Sequence, residues 1–139
     1  MIEEIVPYEE ALALSQIGFV QSCWHAYHDL IYPGKEDKHK LETVPTLTSY
    51  MSSYAHQYIN PVLAPTYSQG FRWFREKYGL AHQFQYYHIP KWTFQILEFT
   101  DIKITPNILV SETNKILTYE EAELECLKKL IKIVKEGNK

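Results

Sequence analysis

Two alternating runs, "HQFQYYHI" and "KWTFQILEF", are separated only by Pro90-Lys91. A parallel crossover needs a dozen or more residues, so a link this short admits only an antiparallel pair. Side chains alternate along a strand, which puts His82, Phe84, Tyr86 and His88 on one face with Trp92, Phe94 and Ile96. Gln85, Tyr87 and Gln95 fall on the other. An aromatic face of this kind can stack nucleic-acid bases. It serves equally as the inner face against helices, and a one-layer sheet must bury something, so the inner face is the expectation. A further short strand is expected at "NILVS".

Helices flank this pair. "PYEEALALSQIGF" has Pro7 at a first helical position, Glu9 and Glu10 in the first turn and Gly18 as the stop, predicting a helix from about Pro7 to Ile17. "FVQSCWHAYHDLIY" is rich in aromatic and β-branched residues and reads as a strand ending at Pro33-Gly34, followed by an exposed loop over 33–46 around "KEDKHK". In "TLTSYMSSYAHQYIN", Leu47, Tyr50, Met51, Tyr54 and Tyr58 have the spacing of one helical face, and Asn60-Pro61 would close that helix. The last element, from Thr118, has a capping box with Glu121; Lys128, Lys132 and Lys135 fall on one side, and Tyr119, Ala122, Cys126, Leu130 and Ile133 on another. The expected fold is α+β in a single globular domain, 1–139. It has an antiparallel sheet of three to four strands against about four helices, in the order α-β-α-α-β-β-(β)-α.

The remaining helix lies in "APTYSQGFRWFREKYGL", with Thr66 and Gln69 as a capping box and Gly79 as the stop. At about 100° per residue, Tyr67, Phe71, Phe74 and Tyr78 gather within roughly 40° of arc, a core stripe beside Gly70. Trp73 stands about 120° away, beside Lys77, with Arg72 and Arg75 on the other flank. Trp73 is therefore either second-layer packing or the centre of a contact surface. That surface would use Trp73, Arg72, Arg75 and Lys77, with Tyr87 from the hairpin.

A net charge of −3 gives no general attraction to phosphate backbones or anionic lipid, so nucleic acid would need a local basic patch. The apolar runs fall short of the roughly 20 residues of a bilayer span, and "MIEEIVPYEE" is acidic where a signal peptide would be basic, so an intracellular location is expected. Cys23 and Cys126 have no CxxC partner and read as buried free thiols.

Motifs for chemistry are sparse. Cys23, His25, Tyr27 and Asp29 would share a strand face, and zinc could use the Cys, His and Asp. A fourth ligand would have to come from a distant His56, His82 or His88, and accidental pairing among six scattered histidines is the stronger explanation. There is no GxSxG elbow, no P-loop and no GxGxxG turn, so neither a catalytic residue nor a cofactor is assigned. Paired carboxylates at Glu3-Glu4, Glu9-Glu10 and Glu120-Glu121 sit at helix starts, where the helix dipole explains them.

"PTYSQGFRWFREKYGL", "TYEEAELECLKKLIKIV" and, more loosely, the opening "YEEALAL…GF" resemble a group of small uncharacterised open reading frames of phages, prophages and other mobile elements of anaerobic gut bacteria. The resemblance covers little of residues 31 to 62. It implies a genetic context, the cytoplasm of a bacterial host cell, and no mechanism. Three functions follow. The leading one is a non-enzymatic module that binds another protein or itself, such as a host-interaction or counter-defence factor, because Tyr and Trp are favoured at interfaces. The second is a nucleic-acid or nucleotide binder using Arg72, Trp73, Arg75 and the aromatic hairpin. The third is a small hydrolase or metal-dependent enzyme using His25, Asp29 or His56.

Overall fold

A computed structural model describes residues 4–21, 23, 25–29, 39–43, 59–88, 91–101 and 104–137. The fold is α+β. The chain divides into two compact units, Met1–Ser68 and Gln69–Lys139. The strands form two three-stranded antiparallel sheets where the sequence predicts one, and the described elements follow the order α-β-β-β-α-β-β-β-α. Three helices lie among the described residues; the helix predicted over 46–60 falls mostly on residues 44–58, outside them.

In the first unit, α1 (Tyr8–Gln16) is one residue shorter at each end than predicted. Pro7 is its extended N-cap, and Gly18 at φ 101° turns the chain away. Strand β1 (His25–Asp29) is central, between β2 (His39–Thr43) and β3 (Ile59–Ala64). β2 lies within the predicted loop 33–46, and Asn60-Pro61 belong to β3 instead of closing a helix. Both departures have local causes. Six charged or His residues in "KEDKHKLET" precede Leu41 and read as solvated loop. Proline cannot donate to a ladder, but β3 is an outer strand among those described. The β1–β3 register also slips between Tyr27 and Asp29, so Asn60 and Pro61 together stand against His28 alone. A bulge on an outer strand is where a strand proline costs least.

Helix α1 packs on β3, closing a core of Val6, Ala11, Leu14, Phe19, Ala26, Val62 and Leu63. The segment before α1 is held by backbone: Val6 N donates to Pro65 O at 2.9 Å, and Ile5 bridges Thr66. Tyr27 adds a side-chain tie, its hydroxyl donating to Val6 O at 2.8 Å while its ring meets Tyr8 edge-on.

Helix α2 (Tyr67–Tyr78) leads into β4 (Leu80–His88), β5 (Lys91–Glu98) and β6 (Asn107–Leu117), paired in that order. The hairpin is antiparallel as predicted, with Phe84 opposite Phe94 and Tyr86 opposite Trp92, while Lys91, expected in the turn, begins β5 opposite His88. The strand predicted at "NILVS" is longer, running on to Leu117. Helix α3 (Tyr119–Lys135) starts with the predicted capping box: Glu121 N donates to Thr118 Oγ1 at 3.2 Å, and Thr118 N donates to Glu121 Oε1 at 3.3 Å. It packs chiefly on β5, burying Ala122, Cys126, Leu127 and Leu130 against a sheet face that holds Phe94 and Ile96, with Lys128, Lys132 and Lys135 exposed.

Two glycines of this unit have opposite reasons for being there. A Cβ at Gly70 would lie 3.7 Å from Leu127 Cδ1, an ordinary contact, in a helix interior where glycine costs about 0.5–1 kcal/mol relative to alanine. Gly79 ends α2 at φ 67°, where a Cβ would lie 2.9 Å from Phe99 O, while its own carbonyl accepts from Phe99 N at 2.9 Å. Gly70→Ala should therefore stabilise by about 0.5–1 kcal/mol, and Gly79→Ala should destabilise by about 1–3 kcal/mol. Urea midpoints at constant slope check both; equal shifts of the same sign would contradict this account.

Candidate interaction surface

The aromatic face of the β4–β5 hairpin is occupied over most of its length. Phe71 from α2 stacks on His82 at 4.1 Å between centroids and meets Phe84 edge-on at 6.0 Å. Tyr119, at the start of α3, meets Phe84 at 5.4 Å and Trp92 at 5.1 Å. Phe94 and Ile96 are fully buried and Phe84 is half-buried. A base-stacking platform needs free ring faces, and here rings from two helices cover them. Among the described residues the face opens toward the hairpin end, where Tyr86 is 49% exposed with its ring tilted on Trp92 at 4.8 Å.

Burial, and secondarily the Arg75 charge, lower the His82 pKa from 6.5 to about 4. The fold therefore favours the neutral ring. Its stabilising contribution is complete above pH 6.5 and is lost as pH falls through about 4, because protonation then favours the unfolded chain. His82→Phe should keep the stack and remove that part of the acid sensitivity. Urea midpoints of both proteins at pH 7, 5.5 and 4.5 would show it as a gap that changes across the window; parallel curves would contradict it.

Trp73 takes the packing role of the two that its position on α2 allowed. It is 4% exposed, meets Phe74 at 5.1 Å and Tyr78 at 5.4 Å edge-on, and carries the Lys77 ammonium 5.2 Å from its ring centroid. Arg72, Arg75 and Lys77 are exposed. Arg72 Nε donates to Glu76 Oε1 at 3.0 Å, a solvated pair of small energy that nevertheless supplies a local countercharge. The Tyr87 side chain lies outside what the structure describes. Trp73→Ala should cost about 3–5 kcal/mol, the loss typical of a large buried ring, measurable by thermal or urea unfolding. A variant with wild-type stability would return Trp73 to the surface reading.

Of the ligands on the strand face proposed for a metal, Cys23 and the His25 side chain are described. Cys23 precedes β1, is buried, and its thiol donates to Gln21 O at 3.4 Å; burial pushes its pKa to about 12, away from the thiolate a metal or nucleophile requires. Burial likewise raises Cys126. His25 and Asp29 do lie on one side of β1, but His56 and the side chains of Asp29 and His88 fall outside the description. Among the described residues no three His, Cys, Asp or Glu side chains gather to hold a metal ion. None of the described helices is long and apolar enough to cross a membrane.

The surface that sequence reasoning missed lies along β6. This strand is outermost in its sheet, bonded among the described strands to β5 alone. Opposite Ile96 and Leu97 it carries Val110 and Ile108, so Leu109 is an extra residue with no register partner on β5. A bulge of this kind turns neighbouring side chains toward one side. Leu109 and Val110 accordingly both line a groove of about 500 Å³ with Ile133, rimmed by Glu98, Lys129, Lys132 and Glu136. Ile108 is 60% exposed and Leu109 41%, and Phe99 and Ile104 of the preceding segment are exposed too. The sequence did hold a signal: Ile108-Leu109-Val110 is a continuous apolar run, the pattern of a strand covered on both faces. The helix packs chiefly on β5 and reaches this outer strand only in part, so the run is incompletely covered.

Comparison with known protein families, curated proteins and solved structures finds no match to this chain.

Proposed function

We propose that this chain is a non-enzymatic protein-interaction module whose contact surface is the outer edge of β6 with the groove beside it. The observation that carries the reading is the concentration of exposed large apolar side chains, Phe99, Ile104, Ile108 and Leu109, in the one segment 99–109. Clustered exposed apolar residues with a charged rim mark interaction sites, whereas isolated ones need no explanation. Fully burying a large apolar side chain contributes about 1.5–3 kcal/mol, so covering these four would offset part of the cost of association. A sheet edge adds unpaired backbone groups for strand addition. In the genetic context implied by the resemblance to phage reading frames, the partner is a host protein or another copy of the chain.

The nucleic-acid reading has less support, because the buried Trp73 and the covered ring faces leave no stacking surface on α2 or along most of the hairpin. Among the described residues no three His, Cys, Asp or Glu side chains gather to support the metal-dependent form of the catalytic reading. The test compares wild type with Ile108→Lys, both matched for circular dichroism and urea midpoint, by solution mass and by retention of proteins from host lysate. Wild type should self-associate or retain a partner, and Ile108→Lys should do neither. A strictly monomeric wild type that retains nothing, or retention that Ile108→Lys leaves intact, would overturn the proposal.

A further inference from the structure

We infer that the occupant of this edge is a second copy of the chain, paired antiparallel through β6 about a twofold axis at Leu109, so that two three-stranded sheets become one of six strands. The inference rests on β6 being the contact surface and names its partner. Three observations converge on Leu109. It is exposed, β5 leaves it without a register partner, and it stands at the centre of Asn107–Ser111, a stretch with no charge.

Natural outer strands are guarded against pairing by lysine, proline or a bulge. Here Asn107–Ser111 holds no lysine and no proline, and the residue added by the bulge is itself an exposed leucine, which enlarges the apolar surface. Leu109 thus adds to what a second strand can cover.

Charge selects the occupant and the register. With the axis at Leu109, Ile108 stands opposite Val110 of the second copy, and Asn107 opposite its Ser111, so five uncharged positions meet five uncharged positions. An axis at Glu112 would set glutamate against glutamate, and like charges directly opposite are destabilising. The groove rim has both signs, Lys129 and Lys132 with Glu98 and Glu136, so a twofold does not bring together two surfaces of one sign. A strongly acidic or basic partner would gain nothing from such a rim. The pairing is isologous and closes at two copies, which avoids the open filament that a head-to-tail edge would build.

The test places charge on the axis. Wild type should sediment at twice 16.4 kDa at micromolar concentration. Leu109→Asp alone and Leu109→Lys alone should each sediment as monomers, and a one-to-one mixture of the two should recover the dimer, because the axis would then set Asp against Lys. Rescue by mixing also demonstrates that both variants fold. In a second measurement, Leu109→Cys should form an intermolecular disulfide under mild oxidation at least tenfold faster than Ser111→Cys, since only a residue on the axis meets its own copy. A dimer whose mass neither charge variant changes, or a mixture that stays monomeric beside a dimeric wild type, overturns the inference. A monomeric wild type that retains another protein through Leu109 overturns the second copy while leaving the edge as the contact surface. A monomer that retains nothing defeats both.

Discussion

The pairing of Phe84 with Phe94 across the β4–β5 hairpin determines the rest of Gln69–Lys139. Side chains alternate with period two, so a slip of one residue would send Phe94 and Ile96 to the outer face and bring Gln95 inward. With the observed register, the inner face presents rings that Phe71 and Tyr119 meet from α2 and α3. Helix α3 then has one place to lay its Ala122-Cys126-Leu130 stripe, and its lysines follow onto the solvent side. The hairpin is local in sequence and the helices are capped and periodic, so local preference and global packing agree in this half of the chain.

That agreement ends at β6. The sheet has three strands, its helix packs chiefly on the middle one, and the outer strand starts with an apolar triplet. Burial is therefore incomplete at Ile108 and Leu109. The edge is outer because β6 is last in its sheet among the described strands, and the bulge adds an exposed leucine there, a residue for which β5 has no partner. Function on this molecule is read best from what the fold leaves uncovered, because its interior accounts for itself. Thiols are buried, the hairpin rings stack on one another, and the tryptophan that stood out on a helical wheel is packed against Phe74 and Tyr78.

Legibility differed along the chain for physical reasons. The capping box at Thr118, the stop at Gly79 and the antiparallel pairing of β4 with β5 depend on residues a few positions apart and are found as the sequence predicts, although Lys91, expected in the turn, begins β5. The first sheet was not legible. β2 is written in charged residues and β3 contains Pro61, and both are strands because β1 lies between them to accept their backbone bonds. Propensity along a strand says little when its partner lies many residues away. The candidate surface was half legible: the apolar run at Ile108 was visible as a strand, but which strand would be outermost was not.

The amino-acid sequence by itself determined the α+β class, the helices at Tyr8, Tyr67 and Tyr119, the antiparallel hairpin and its inward aromatic face, since caps, periodicity and short turns act within a few residues. Tertiary structure alone decided that the described strands form two sheets, that Trp73 is buried while Arg72 and Arg75 are exposed, and that Leu109 lies on the outermost described strand of its sheet. Those outcomes depend on which distant strand supplies hydrogen bonds and which surface reaches a side chain, and such contacts have no local code.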